Sequence, residues 1–402
     1  MTAMFDQRTV VGVVGAGAMG TGIAQVAAAA GHRVVIADAF DGAVTKARGT
    51  ITNAMARDVS KGRLDGAEAA ALIARIDFHE VPLGDDCAAY EACGLVIEAV
   101  AEDLSVKQSL IRRLEDFIAN DAVIATNTSS LSVGSIASAG ARPARVLGLH
   151  FFNPPPLMPL VEIVPWLGGD EKLVAASDAL MRRWRKVPVV ASDTPGFIVN
   201  RIARPFYGEA IRLLEEGAAD VPTIDWAMRE LGGFRMGPFE LMDFIGNDVN
   251  YAVTRSVFEG FFYDPRYKPS LTQRRLVEAG FLGRKSGRGY YDYREGAAVP
   301  QSTNDQSVGL AIVERIVAML INEAVDAVFM RVASPADIEL AMTKGVNYPR
   351  GLLAWANELG LGHVLGTLER LQADYGEDRY RPSPLLRRMV RDGLRFFETD
   401  KG

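Results

Sequence analysis

The chain has 402 residues, a hydrophobic content of 49% and a net charge of −6, enough for two or three cores in a protein of ordinary soluble composition. The acidic balance argues against a general nucleic-acid or membrane-surface binder, so an anionic ligand must be met by local basic residues. Cys87 and Cys93 lack a CxxC spacing and read as reduced structural thiols; Met1 to Thr9 is short and polar with no leader signal, and no apolar run is long enough for a membrane span, so the cytosol is the expected location.

Taken in order, Thr9 to Val14 is a β-branched run that predicts a buried strand. GAGAMG follows (Gly15, Ala16, Gly17, Ala18, Met19, Gly20), then an Ala-rich helix over Thr21 to Ala30 and a strand over Val34 to Ala37 that ends at Asp38. Strand, glycine turn, helix and strand with a terminal acid make the dinucleotide-binding βαβ unit. Gly15 allows the tight turn, Gly17 the approach of a pyrophosphate, and Gly20 the close packing of helix on strand. The helix N-terminus with Ala18 and Met19 offers its unpaired N–H groups to the phosphates. Asp38 lies 23 positions after Gly15, where an acid for the adenosine ribose is expected. No Arg or Lys follows it in Ala39, Phe40 and Asp41 to welcome a 2′-phosphate, which favours NAD over NADP.

Gly42 to Lys61 predicts a long helix with Arg57, Lys61 and Arg63 near its end, either a solvated face or a landing site for an anionic substrate. Helix Ala67 to Ala74 and strand Ile76 to Phe78 come next. Leu95 to Val100 reads as a strand and Ala101 to Ile118 as an amphipathic helix; Glu102 and Lys107 near its start suit a salt bridge or a ligand contact at the carboxyl edge of the sheet. Strand Ala122 to Ala125 leads into TNTSSLSV, a helix cap or a polar site wall in which Ser129 can meet a substrate oxygen.

Gly148 to Pro165, GLHFFNPPPLMPLVEIVP, organises the whole chain. A strand from Val146 to Leu149 delivers His150. Asn153 and the turn Pro154 to Pro156 follow, and strand Leu160 to Val164 carries Glu162. Across such a turn the carboxylate can hold the imidazole as a general acid/base. His32, His79 and His363 lack such surroundings, and no cluster has metal spacing, so no metal is predicted. Helix Glu171 to Arg185 and strand Val187 to Ala191 close the α/β part. Pro195 and Gly196 then break the chain, and a long helix over Ile198 to Leu214 carries Asn200 near its start. The glycine-punctuated run GRKSGRGYYDY, Gly283 to Tyr293, contains Lys285, and the polar stretch Glu295 to Ser307 reads as a linker.

An internal repeat follows. A shift of 114 aligns RIARPFYGEAI, Arg201 to Ile211, with RIVAMLINEAV, Arg315 to Val325, and pairs Gly237 with Gly351 and Gly246 with Gly360. Glu314 stands opposite Asn200, so the second copy reads as structural, able to substitute for a partner subunit. The expected fold is α/β: a Rossmann-type NAD-binding domain over residues 1–191, then two all-helical domains related by duplication, 192–296 and 305–402.

Together GAGAMG, EAVAEDLSVKQ, NTSSL, GLHFFNPPPLMPLVEIV, DTPGFIVNRI and GRKSGRGYYDY resemble the L-3-hydroxyacyl-CoA dehydrogenase family, including 3-hydroxybutyryl-CoA dehydrogenases. The duplicated helical part, with TKGVNYPRGLLAWANELG, resembles members such as the 3-hydroxyadipyl-CoA dehydrogenases. The resemblance implies NAD-dependent oxidation of a 3-hydroxyacyl-CoA, with His150 as acid/base and Glu162 orienting it. It implies Ser129 and Asn200 on the 3-oxygen and thioester, with Asn153 in support. Glu102 and Lys107 would meet the nicotinamide ribose, Asp38 the adenosine ribose, and Lys285 the cofactor from the helical part. Lys61 matches a coenzyme A contact, whereas Ala54 stands where some members have Ser. The acyl group is expected to be short or dicarboxylic, and the assembly a homodimer, or a monomer whose second copy replaces the partner. The rival readings are a dehydrogenase of free hydroxy acids or sugar acids, and a non-catalytic NAD-binding protein.

Overall fold

Short apolar runs, most of them buried, organise the first half of the computed structural model, which describes residues 4–80 and 87–397. They form β1 (Val10–Val14), β2 (Val34–Ala37), β3 (Ile76–His79), β4 (Cys93–Glu98), β5 (Val123–Thr126), β6 (Val146–Phe151), β7 (Leu160–Val164) and β8 (Val187–Val190). One sheet has the order β3-β2-β1-β4-β5-β6-β7-β8. β1 to β6 are parallel, β7 runs antiparallel to β6, and β8 is parallel to β7. The helices of this unit, Met1–Thr194, are α1 (Ala18–Ala29), α2 (Ala43–Ser60), α3 (Gly66–Ala74), α4 (Leu104–Glu115), α5 (Val133–Ala137) and α6 (Lys172–Arg183). Alternation along the strands sends Val13, Leu95, Leu149 and Ile163 into one core and Val14, Val96, Ile124 and Val146 into a second. Cys87 and Cys93 are buried free thiols, and burial pushes Cys93 up to about 12.

The strand expected to run to Val100 ends at Glu98, because the Glu98 carboxylate turns the chain by accepting the Val100 N–H at 2.7 Å. α4 then starts at Leu104, capped by Asp103, which accepts the Val106 N–H at 3.0 Å. β6 outlasts its expected end at Leu149, since His150 and Phe151 pair with Glu162 and Val161.

The second unit, Pro195–Gly402, is helical in its described part and contains both repeat copies. The helix expected from Ile198 to Leu214 is split into α7 (Val199–Ile202) and α8 (Arg204–Glu215) at Ala203, where Pro205 in the first turn of α8 brings no N–H to continue the ladder. There follow α9 (Val221–Trp226), α10 (Pro238–Ile245), α11 (Asn247–Gly260), α12 (Leu271–Glu278), α13 (Gln306–Phe329), α14 (Pro335–Gly345), α15 (Leu352–Leu359), α16 (Leu361–Tyr375) and α17 (Pro384–Arg391).

α7 and α8 together match α13 in the repeat, and their buried charges pair reciprocally. Arg201 Nε meets Glu323 Oε1 at 2.6 Å, while Arg315 Nε meets Glu209 Oε2 at 2.9 Å. Under the shift of 114, Arg201 corresponds to Arg315 and Glu209 to Glu323. Tyr267 donates its hydroxyl to Glu323 at 2.5 Å, and Tyr380 donates to Glu209 at 3.0 Å. Residue i thus meets j of the other stretch, and its counterpart meets the counterpart of j, the pattern of a self-complementary contact.

Candidate active site

The glycine turn follows from sterics. Gly15 has φ +101°, and a Cβ there would lie 2.6 Å from the Ala99 carbonyl oxygen; a Cβ on Gly20 would lie 1.8 Å from that of Gly15. Gly17, at the N-cap of α1, has open space where its Cβ would point. Backbone N–H groups with no intrahelical partner begin here, followed by Ala18 and Met19 in the first turn of α1. Asp38, just beyond β2, accepts the Ala16 N–H at 2.6 Å and the Phe40 N–H at 2.9 Å. An open phosphate cradle flanked by an acid, with no Arg or Lys in the three residues that follow it, fits NAD.

Further along the same carboxyl edge of the sheet, β6 and β7 place His150 directly opposite Glu162. Their neighbours Leu149, Phe151, Val161 and Ile163 point into the core, so both polar side chains share the other face. Nδ1 of His150 lies 2.6 Å from Oε2 of Glu162, with His150 6% exposed and Glu162 fully buried. A carboxylate acceptor puts the imidazole proton on Nδ1 and leaves Nε2 as the base. The Phe152 ring, its centroid 4.5 Å away, covers the imidazole.

Ser129 lies in the loop after β5, where Glu102 gathers the polar run. Glu102 Oε1 accepts the N–H groups of Ser129 at 2.8 Å and Ser130 at 3.0 Å, and the Thr128 hydroxyl at 2.7 Å. Desolvation works to raise the Glu102 pKa, but Lys107 and these hydrogen bonds outweigh it and hold the carboxyl below its usual range. Lys107, expected in a helix-start salt bridge or at a ribose, is buried: its Nζ meets Glu98 Oε1 at 2.6 Å and Glu102 Oε2 at 3.3 Å. In this structure it braces the two acids.

The first unit matches the model of the 3-hydroxyacyl-CoA dehydrogenase NAD-binding domain over residues 10–194. The model of that family's C-terminal domain matches over 196–293 and again over 312–401. The chain belongs to the 3-hydroxyacyl-CoA dehydrogenase family. It is 39% identical to the 3-hydroxyadipyl-CoA dehydrogenase of Escherichia coli (strain K12), over 96% of this chain and 98% of the relative. It is 41% identical to a 3-hydroxybutyryl-CoA dehydrogenase of Bradyrhizobium diazoefficiens, over 72% of this chain and 97% of that one. The crystal structure of 3-hydroxybutyryl-CoA dehydrogenase from E. coli K12 superposes with a TM-score of 0.87 at 38% identity, covering 96% and 98% of the two chains. The protein is an NAD-dependent 3-hydroxyacyl-CoA dehydrogenase.

In this dehydrogenase a cleft of about 830 Å³ runs from Gly17 and Asp38 along α2. Lys46, Arg57, Lys61 and Arg63 line it, as do Ala54 and Asn153. The Pro-rich turn forms its opposite wall, tied down by buried Lys186, whose Nζ donates to the carbonyls of Pro155 and, at 2.9 Å, Met158. Burial pulls the Lys186 ammonium down to about 8.

Asn200 and Lys285 belong to the second unit. Asn200 sits on α7, and its carbonyl accepts the Arg204 Nε–H at 2.7 Å. Lys285, expected to reach the cofactor, has its Nζ 2.6 Å from Asp248 Oδ1. Sequence reasoning missed three supports. Glu98 is fully buried and bonded to Lys107 and Thr126. Asn127 accepts the Phe151 N–H at 2.8 Å. Asp193 accepts the Val133 and Gly134 N–H groups at 2.9 and 2.8 Å and so caps α5 after the serine loop. Their only signal was an Asp, Asn or Glu at a strand end.

Among the described residues, no helix is long and apolar enough to cross a membrane, and no group of three or more His, Cys, Asp or Glu is placed to hold a metal.

Proposed function

We propose that this dehydrogenase oxidises a short L-3-hydroxyacyl-CoA, 3-hydroxybutyryl or a dicarboxylic analogue such as 3-hydroxyadipyl, with His150 as acid/base. The observation that carries the reading is the 2.6 Å contact between His150 Nδ1 and Glu162 Oε2, which aims Nε2 away from the acid. NAD, when bound, supplies the hydride acceptor. His150 Nε2 takes the proton of the 3-hydroxyl as C3 gives up its hydride, and Glu162 stabilises the imidazolium that results. Ser129, fixed by Glu102, and Asn200 hold the oxygen as its charge changes. Asp38 takes the adenosine ribose, and Lys46, Arg57, Lys61 and Arg63 supply the positive charge for the coenzyme A phosphates. Lys285 serves the cofactor only once released from Asp248. The names of the relatives support both acyl groups.

The reciprocal pairs Arg201–Glu323 and Arg315–Glu209 support the second helical copy as a duplicate that takes the place of a partner subunit. Light scattering then gives the mass of one chain.

The test follows NADH oxidation by absorbance with acetoacetyl-CoA, for the native protein and His150→Ala. Rapid turnover that collapses in the variant is expected. Turnover of free 3-oxo acids but not of their CoA esters would overturn the reading.

A further inference from the structure

Inside the helical unit, a cavity of about 420 Å³ is walled by α8, Pro265–Tyr267 and the start of α12. Its size is that of a small-ligand site. Six of its lining side chains are cationic, and two, Glu209 and Glu215, are carboxylates. Lys268 and Arg275 are exposed, and three of the other four cations are already engaged. Arg212 pairs with Glu377 at 3.2 Å, Arg266 with Asp326 at 2.9 Å, and Arg379 lies 3.6 Å from Glu209, which Arg315 holds.

Arg204 differs. It is 7% exposed; its Nε donates to the Asn200 carbonyl at 2.7 Å, its Nη1 to the Thr254 hydroxyl at 3.1 Å, and its guanidinium lies 4.9 Å from the Tyr207 ring centroid. Among the described residues it has no carboxylate partner. Burial without a counter-ion lowers its pKa. Such an arrangement costs stability unless an anion completes it.

The fold does not need this cation. Under the shift of 114, Arg204 corresponds to Ala318 and Thr254 to Leu368, both buried in apolar surroundings. At these two positions the matching helix pair therefore closes without charge in the second copy. The first copy also leaves room beside the cation: a Cβ on Gly208 would meet only Arg379 Nη1, at 3.9 Å.

We propose that this cavity receives the terminal carboxylate of a dicarboxylic acyl chain and that Arg204 is the residue that selects it. The inference rests on the reading that Asn200 meets the 3-oxygen. Arg204 Nε lies 2.7 Å from the Asn200 carbonyl oxygen across the break at Ala203, so its side chain runs back beside Asn200, and Gly208 follows one turn further along α8. In a six-carbon diacid, three carbon–carbon bonds separate C3 from the carboxyl carbon, about 4 Å when extended. A carboxylate at that distance from C3 then meets the Arg204 guanidinium, with charge-assisted hydrogen bonds.

The test measures kcat/KM for 3-oxoadipyl-CoA and for 3-oxohexanoyl-CoA, the same length with a methyl end, on the native protein, Arg204→Met and Arg204→Lys. The native enzyme is expected to prefer the diacid roughly 100-fold. Arg204→Met lowers that ratio at least tenfold, and Arg204→Lys keeps part of it. The native ratio needs no variant, so it decides even if Arg204→Met does not fold. A native preference for the methyl-ended ester, or a ratio that Arg204→Met leaves unchanged, overturns the proposal while the dehydrogenase reading stands. No turnover of either ester, nor of acetoacetyl-CoA, sinks both.

Discussion

Glu162 stands directly opposite His150 across an antiparallel strand pair, 2.6 Å from its Nδ1, with a fully buried carboxylate. The backbone register, rather than a flexible loop, sets the geometry of the proposed acid/base. His150→Ala is expected to lower kcat by about 10³ and Glu162→Gln by about 10², the span of general acid–base catalysis. NADH binding, read by fluorescence, should stay within about twofold, because neither residue lies in the phosphate cradle. Loss of NADH binding in both variants would mean that the pair holds the fold rather than the proton.

Asp38 holds two backbone N–H groups of the cofactor end, those of Ala16 and Phe40. Asp38→Asn keeps the shape and removes the charge. NADH affinity should fall roughly tenfold, the worth of one charge-assisted hydrogen bond. A fluorescence titration checks it, and an unchanged Kd would remove Asp38 from the cofactor site.

Lys186 gives a pH signature. Its ammonium sits near 8 in the fold against an ordinary 10.5. Between those values the unfolded chain holds more protons than the native one, so stability rises with pH across that window. Urea midpoints at pH 8 and pH 10 should show the gain in the native protein and its absence in Lys186→Met, relative to each protein's own value. Equal slopes would mean that the amine titrates normally.

Glu323 is 1% exposed and held by Arg201, Arg266 and Tyr267. Removing one partner of a buried ion pair leaves uncompensated charge and costs about 3 kcal/mol. Glu323→Ala should therefore lower the Tm of the helical unit by roughly 6–12 °C. Calorimetry resolves it, and a shift under 2 °C would show the cluster to be solvated.

What could be read from the sequence was what is local. Gly15, Gly17, Gly20 and Asp38 lie within one βαβ unit, and His150 and Glu162 are 12 positions apart across one turn. Their chemistry needs no distant partner to be recognised. For Lys107 the sequence left a salt bridge and a ligand contact open, and its burial could not be read because it depends on Glu98, at the end of the preceding strand. The break at Ala203 was missed because Ile198 to Leu214 keeps helical periodicity through Pro205, whose effect is confined to one turn. Arg204 was silent because its meaning lies in a missing acid. Only the folded chain shows that every other buried arginine around that cavity has one.

In a homodimer, every substitution at the dyad is written twice, so a residue useful on one side is imposed on the other. Here both halves of the reciprocal contact, Arg201–Glu323 and Arg315–Glu209, are encoded by separate codons of one chain. One half is thereby free to keep Asn200 and Arg204 while the other settles on Glu314 and Ala318. A substitution on one side of that contact leaves the other side's residue as it was, so Glu314 and Ala318 can drift, or be engineered, while Asn200 and Arg204 stay as they are.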